Sequence, residues 1–222
     1  MTEPTALGDL DLAALVSSRI CHDVINPVSA ISNGLEMIGE EQDADMREAA
    51  MDLIRKSAFQ ASAKLQFARL AFGAAGSAGA EIDLRDAEKV AREFVQGTGK
   101  HEVLWEGPPV TLPKNKVKLL LNLVALGVVA LPRGGTVSVE ITGTPPDVGL
   151  TVRAKGTAAR LNDQVAALLS GGNGGEVDAH SIQPYYARRV ATAAGLTVTT
   201  AVEGDEVTFK AASAPEIRRF KA

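Results

Sequence analysis

Between residues 10 and 40, apolar side chains recur at spacings of four, three, four and three: Val24, Val28, Ile31, Leu35 and Ile38, with Ile20 extending the stripe backward. That period belongs to helices that pack along a partner helix. Residues 46 to 72 repeat the device with Ile54, Ala58, Ala61, Leu65, Ala68 and Phe72. The link between them, GEEQDAD, is short and polar, and Asp43 or Asp45 is a suitable N-cap for the second helix. So short a link predicts an antiparallel hairpin. One hairpin buries only one stripe per helix and is poorly stable alone. A second copy around a two-fold axis completes a four-helix bundle, so the expectation is a homodimer.

The pattern changes after GAAGSAGAE, residues 73 to 81, which reads as a linker. Asp86 to Gln96 is helical, and His101 to Trp105 reads as a strand. Pro113 to Leu131 reads as a long apolar helix with proline at its start, where a missing N–H is tolerated. Thr136 to Thr142 and Val148 to Ala154 alternate apolar and polar residues around the turn TPPD, as half-buried strands do. Ala159 to Leu169 and Ile182 to Ala194 read as helices, joined by SGGNGGE as a flexible connector. Leu196 to Val202 and Glu206 to Ala211 form a hairpin around Glu203, Gly204 and Asp205. The fold class is α+β. Residues 8–74 form the helical hairpin, and residues 81–213 an α/β sandwich with helices on one face of a mixed sheet.

Composition narrows the partners. Net charge is -4 over 222 residues, so no basic surplus argues for nucleic acid. The single cysteine, Cys21, excludes an internal disulfide and suits a reducing compartment; it reads as a small, semi-buried residue. No charged-then-apolar signal opens the chain. The longest apolar stretch, Leu119 to Leu131, is broken by Asn122 and falls short of the roughly 20 residues a membrane span needs. The expectation is a cytoplasmic protein without a membrane partner.

The candidate chemistry sits in SRICHDVINPVSAI. Pro27 lies inside the helical pattern and removes the hydrogen bond to the Asp23 carbonyl, a cost of about 3 kcal/mol. The loosened turn carries His22. With Val24 on the apolar seam, His22 lies about 200° around the helix and points away from it. Ser18, Asn26, Ser29, Asn33, Glu36 and Glu40 fall within about 40° of His22 by the same geometry. Ala30 and Gly34 keep the surface small enough for another protein to approach. Neutral imidazole is a nucleophile near pH 7, and Asp23 can fix its tautomer or take its proton. A lone histidine on a helix is usually plain surface. Here the H-D-x-x-N-P string, the heptads and the outward position agree. His101 and His180 lack ligand-like spacing, so no metal site is expected; His101 opens a strand and His180 caps or opens a helix.

The string His22-Asp23-Val24-Ile25-Asn26-Pro27 resembles the phosphoacceptor box of two-component histidine kinases, and the hairpin resembles their dimerisation domain. The stretch from Asn122 to Gly135 is similar to the kinase asparagine box and its following loop. The second domain thus resembles a Bergerat-type ATPase domain, but a degenerate one. Where kinases carry a second, magnesium-binding asparagine, this chain has Leu126, which offers no oxygen to a hard cation. The strand that should end in an adenine-reading aspartate ends in Ala154. The last helix should open with glycines over the phosphates and instead opens with Tyr185 and Tyr186. This combination resembles the ChpT-type histidine phosphotransferases of alphaproteobacteria over nearly the full chain.

The resemblance implies a relay that uses no ATP. A phospho-aspartate on the receiver domain of a hybrid kinase (CckA-like) would phosphorylate His22, which would pass the group to response regulators (CtrA-like, CpdR-like). The receiver would bring Mg²⁺. Asn26 would contact the receiver active site, and the stripe Ser18, Arg19, Ser29, Ala30 and Asn33 would dock the partner. Two other readings are an ATP-dependent sensor histidine kinase and a non-catalytic dimeric scaffold for receiver domains.

Overall fold

The computed structural model describes residues 6–40, 43–73, 80–145 and 147–213. Two long antiparallel helices come first, α1 (Asp9–Glu40) and α2 (Ala44–Ala71). The Asp43 carboxylate accepts the Asp45 N–H at 2.9 Å and caps α2, which decides between the two candidate caps. Residues 41–42 of the inter-helix link, residues 74–79 of the linker, Pro146 of the TPPD turn and the Glu40 side chain lie outside the described residues.

The seam of the hairpin is not the heptad stripe. Val28 is 46% exposed and Leu35 57%, and Pro27 and Gly34 take the buried positions instead. A side chain at Gly34 would put a Cβ 2.7 Å from Ile54 Cγ1 and 3.3 Å from the Ala50 carbonyl. The helices therefore close on the glycine and the proline, about 70° around α1 from the centre of the apolar stripe. Ile20, Val24, Ile31 and Ile38 remain half-buried on the flank of this seam. On α2, Met51, Ala58 and Leu65 are exposed on the same side of the hairpin as Val28 and Leu35. The opposite side of α2 carries buried Ala63, and packs Phe67 and Ala71 against the rest of the chain.

The remaining elements are β1 (Glu81–Asp83), α3 (Leu84–Gln96), β2 (His101–Glu106), β3 (Thr111–Pro113), α4 (Lys114–Val129), β4 (Gly135–Thr144), β5 (Asp147–Lys155), α5 (Asp163–Ser170), α6 (Ile182–Ala193), β6 (Leu196–Glu203) and β7 (Glu206–Ser213). Five strands form one sheet in the order β2-β4-β5-β7-β6, with β2 parallel to β4 and the other pairs antiparallel. One face of this mixed sheet carries Val137, Val139, Val152, Ala154, Val207 and Phe209, all buried. On that face lies α4, which is buried all round from Lys116 to Gly127, as a central helix must be. Phe67 and Ala71 of α2 belong to the same apolar core, so the hairpin base and the sandwich share one interior. Phe67 stacks on Phe94 of α3 with ring centroids 3.9 Å apart.

Several boundaries differ from the sequence reading. Pro113 ends β3 and sits at the N-cap of α4 rather than inside it, and α4 stops at Val129 rather than Leu131. Strands β1 and β3 pair antiparallel in a separate small sheet, taking Glu81 out of the linker; three residues each are too short to show alternation. Helix α5 starts at Asp163 rather than Ala159. Arg160 N–H donates to the Ala130 carbonyl, and the Asn162 side chain accepts Gln164 N–H at 2.8 Å as the cap. The first glycine of SGGNGGE is not simply a connector: Gly171 takes φ +83° and closes α5 in the left-handed conformation.

Candidate functional site

Helix α1 runs through Pro27 unbroken. The proline leaves the Asp23 carbonyl without its helical donor, and Lys64 of α2 supplies one: its Nζ donates to Asp23 O at 2.8 Å. A cation from the neighbouring helix thus holds the turn that bears His22. Nothing local in the sequence signals Lys64.

His22 stands on the outer surface of that turn with 56% of its side chain exposed. Its Nδ1 lies 3.9 Å from Asp23 Oδ1. The other Asp23 oxygen accepts from Arg19 Nε at 2.9 Å. Arg19, which the sequence puts on the outer docking stripe, has a largely buried side chain instead, and its Nη1 also donates to the His180 carbonyl at 3.1 Å. The ring of His180 meets the ring of His22 edge to face, with centroids 4.9 Å apart and planes at 81°. The site therefore combines three neighbours on α1 with one residue from the turn before α6.

That turn is tightly tied. Asp178 Oδ1 accepts from His180 N–H at 3.0 Å, Ser181 N–H at 2.8 Å and Ser181 Oγ at 2.7 Å. In return Ser181 Oγ accepts the Asp178 N–H at 2.9 Å. The Ser181 hydroxyl, then its backbone N–H, hold the Asp178 carboxyl below its ordinary value, with smaller help from His180. His180 lies just before Ser181, the N-cap of α6, so it precedes the helix rather than capping or opening it; its place over His22 is not legible in the sequence.

Of the other proposed site residues, Ser18, Asn26, Ser29 and Asn33 are exposed and Ala30 is half-buried. Asn26, Ser29, Ala30 and Asn33 follow His22 up the outer side of α1. Cys21 is exposed rather than semi-buried, because it points to the side of α1 away from the sandwich. His101 is structural: Nδ1 pairs with Thr98 Oγ1 at 2.7 Å and Nε2 with the Leu131 carbonyl at 2.9 Å.

The positions that resemble a kinase nucleotide site are packed into the fold. Asn122 is wholly buried, and its Nδ2 donates to the carbonyls of Ala71 at 3.2 Å and Lys118 at 2.9 Å. Ala71 ends α2, so this amide caps the hairpin's last turn from within the sandwich. Its Oδ1 accepts from Gln183 Nε2 of α6 at 3.4 Å. Leu126 is buried, and Ala154 is fully buried where β5 meets α4 at Gly127. Tyr185 is buried and its hydroxyl accepts the Leu7 N–H at 3.0 Å; Tyr186 Oη donates to the Phe72 carbonyl at 3.5 Å. The aromatic start of α6 thus clamps the open end of the hairpin, where α1 begins and α2 finishes.

Comparison with known proteins agrees over most of the chain. The model of the histidine phosphotransferase C-terminal domain family matches residues 84–206. Protein phosphotransferase ChpT of Brucella abortus (strain 2308) is 49% identical over 212 residues, which span 95% of this chain and 100% of that protein. A solved bacterial phosphotransferase, 46% identical, superposes with a TM-score of 0.86 over 95% of this chain and 100% of that chain. The chain therefore belongs to the ChpT-type histidine phosphotransferases, and it is a phosphotransferase.

Proposed function

We propose that the chain relays a phosphoryl group through His22 between receiver domains, without using ATP. The observation that carries this reading is His22 itself: an exposed imidazole whose Nδ1 faces a carboxylate that Arg19 holds in place. With Nδ1–H turned to Asp23, the lone pair is on Nε2. That nitrogen attacks phosphorus in line. The N–P bond forms as the P–O bond to the receiver aspartate breaks, and the electron pair leaves on the carboxylate. A second receiver reverses the step. The donor is the receiver of a hybrid kinase, CckA-like by resemblance, and the acceptors are CtrA-like and CpdR-like response regulators.

Asn26 contacts the receiver active site, and Ser18, Ser29, Ala30 and Asn33 dock its first helix. The receiver brings Mg²⁺, since the side chains around His22 are one carboxylate, one guanidinium and a second imidazole rather than an oxygen cage. ATP independence is supported by Asn122, whose amide is spent inside the fold, and by Leu126 and Ala154, which are packed in apolar surroundings.

Residues 8–74 act as the phosphotransfer and dimerisation unit, and residues 81–213 as its platform. Exposed Val28, Leu35, Met51 and Leu65 on one side of the hairpin support a homodimer with a four-helix bundle. We place the relay in the cytoplasm with its receivers. Among the described residues no helix is long and apolar enough to cross a membrane.

The test mixes the chain with a phosphorylated receiver domain and Mg²⁺ and locates acid-labile phosphate. His22→Ala is expected to carry none. Transfer of label from ATP to the chain alone would overturn ATP independence, and label persisting in His22→Ala would overturn the site. Light scattering tests the dimer: Leu35→Glu is expected to give a monomer where the wild type gives twice the mass.

A further inference from the structure

His180 belongs to no part of the phosphoacceptor helix, yet its ring is the aromatic group packed on His22, edge to face at 4.9 Å. The turn that presents it is built to hold one conformation. Asp178 anchors the backbone N–H groups of His180 and Ser181 and the Ser181 hydroxyl. Arg19 then fixes the His180 carbonyl with the same guanidinium that fixes the Asp23 carboxylate. One cation therefore sets both the group that faces His22 Nδ1 and the residue that packs on the His22 ring. A turn that merely joined α5 to α6 would need neither bond.

An exposed imidazole otherwise has freedom at its last torsion, where the two ring orientations differ little in energy. Only one of them turns Nδ1 to Asp23 and leaves Nε2 for the incoming phosphorus. At 3.9 Å the Asp23 contact is longer than a hydrogen bond and cannot fix the ring by itself. An edge-to-face neighbour restricts that torsion through shape and through ring electrostatics.

We propose that His180 is a positioning residue for phosphoryl transfer: its ring, delivered by the second domain, holds the His22 imidazole with Nδ1 toward Asp23 and Nε2 toward the receiver. The inference rests on the reading of His22 as phosphoacceptor. It gives the second domain a part in the chemistry beyond carrying the hairpin. No group moves to or from His180; the bonds made and broken are those at His22 Nε2.

The test uses the full chain and a phosphorylated receiver domain as donor, with transfer followed by rapid quench over a range of receiver concentrations. His180→Ala is expected to lower the transfer rate constant at saturating receiver by about tenfold, with the half-saturating concentration unchanged, because misorientation of a reacting group slows the step rather than the docking. His180→Phe keeps a flat ring edge and is expected to recover most of the rate. Imidazole nitrogen NMR of the unphosphorylated chain reads orientation without activity. In the wild type, His22 is expected to show one tautomer with Nδ1 protonated, and in His180→Ala an averaged signal. His180 is exposed, so the variants should fold; equal melting curves check this, and the NMR comparison stands if the rates are complicated by stability.

A wild-type rate and a wild-type His22 signal in His180→Ala overturn the proposal and leave His22 as phosphoacceptor intact. A defect confined to half-saturation overturns it too, since His180 would then be a docking contact. Failure of the wild-type chain to take up label at His22 overturns both readings together.

Discussion

His22 and Asn122 each sit on a helix, inside a string that resembles a kinase motif, but the fold treats them in opposite ways. His22 is over half exposed, and its ring makes no hydrogen bond among the described residues. Asn122 is wholly buried, and both ends of its amide are engaged by three different elements: the end of α2, the first turns of α4, and α6. One region keeps a reactive atom available. The other has turned a polar side chain inward and made it a joint. The difference teaches where recognition of a partner can still occur. A ligand at Asn122 would first have to break bonds that hold the hairpin to the sandwich, whereas a molecule approaching the exposed side of His22 would displace only solvent.

The sharpest way to break this comparison is at the joint. Asn122→Ala leaves the Ala71 carbonyl buried without a donor and strips Gln183 of its partner. Urea unfolding is expected to show a loss of about 2–3 kcal/mol with an unchanged slope. A variant as stable as the wild type would mean that the amide is not structural, and the region would again be open to a nucleotide reading. Lys118, one turn before Asn122, sharpens the point. Burial, and then Lys114, push its ammonium below the usual lysine range, so the joint sits in poorly solvated surroundings.

A smaller effect tests how the open region is kept in shape. Lys64→Met keeps the aliphatic stem and removes the donor to Asp23 O. The expected cost is about 1 kcal/mol. In a Pro27→Ala background the restored backbone N–H can reach that carbonyl, so the same Lys64→Met change should cost little. The coupling between the two substitutions is the quantity to measure, by a double-mutant cycle in denaturant. Additive costs would show that Lys64 acts independently of the proline.

The hairpin, the five main strands and the outward placing of His22 were legible because each rests on local period or on a motif within one helix. The seam was misplaced for a reason that is also local. Pro27 and Gly34 carry no apolar side chain large enough to register in a heptad, yet their small backbone profile is what lets α2 approach. Lys64, Arg19 and His180 were not legible as a group. Lys64 reaches the Asp23 carbonyl and His180 the His22 ring from other elements, and the outward stripe gives no sign that Arg19 meets the turn before α6. Leu126 and Ala154 were readable as departures from the kinase pattern, and both are buried. That Asn122 remained, and what it now holds, required α2 and α6 in place.

The smallest effect concerns the turn that brings the second domain to the open region. Asp178 has a carboxyl pKa lowered from 3.8, first by the Ser181 hydroxyl and then by the Ser181 N–H. A carboxyl depressed on folding contributes stability that is complete above its unfolded value and is lost as pH falls through its folded value. The turn is therefore at full strength from neutrality down to about pH 4 and weakens only below that. Any pH dependence of transfer between pH 6 and 8 must come from groups other than Asp178. Asp178→Asn at neutral pH removes the charge from the acceptor of three bonds and should imitate the acid state. Hydrogen exchange at the amides of His180 and Ser181, taken relative to their intrinsic rates, is expected to quicken several-fold in the variant. In the wild type it should quicken only in acid. If Asp178→Asn leaves those amides protected, the turn is held by Arg19 and the start of α6 instead, and the order around His22 would originate on α1 itself.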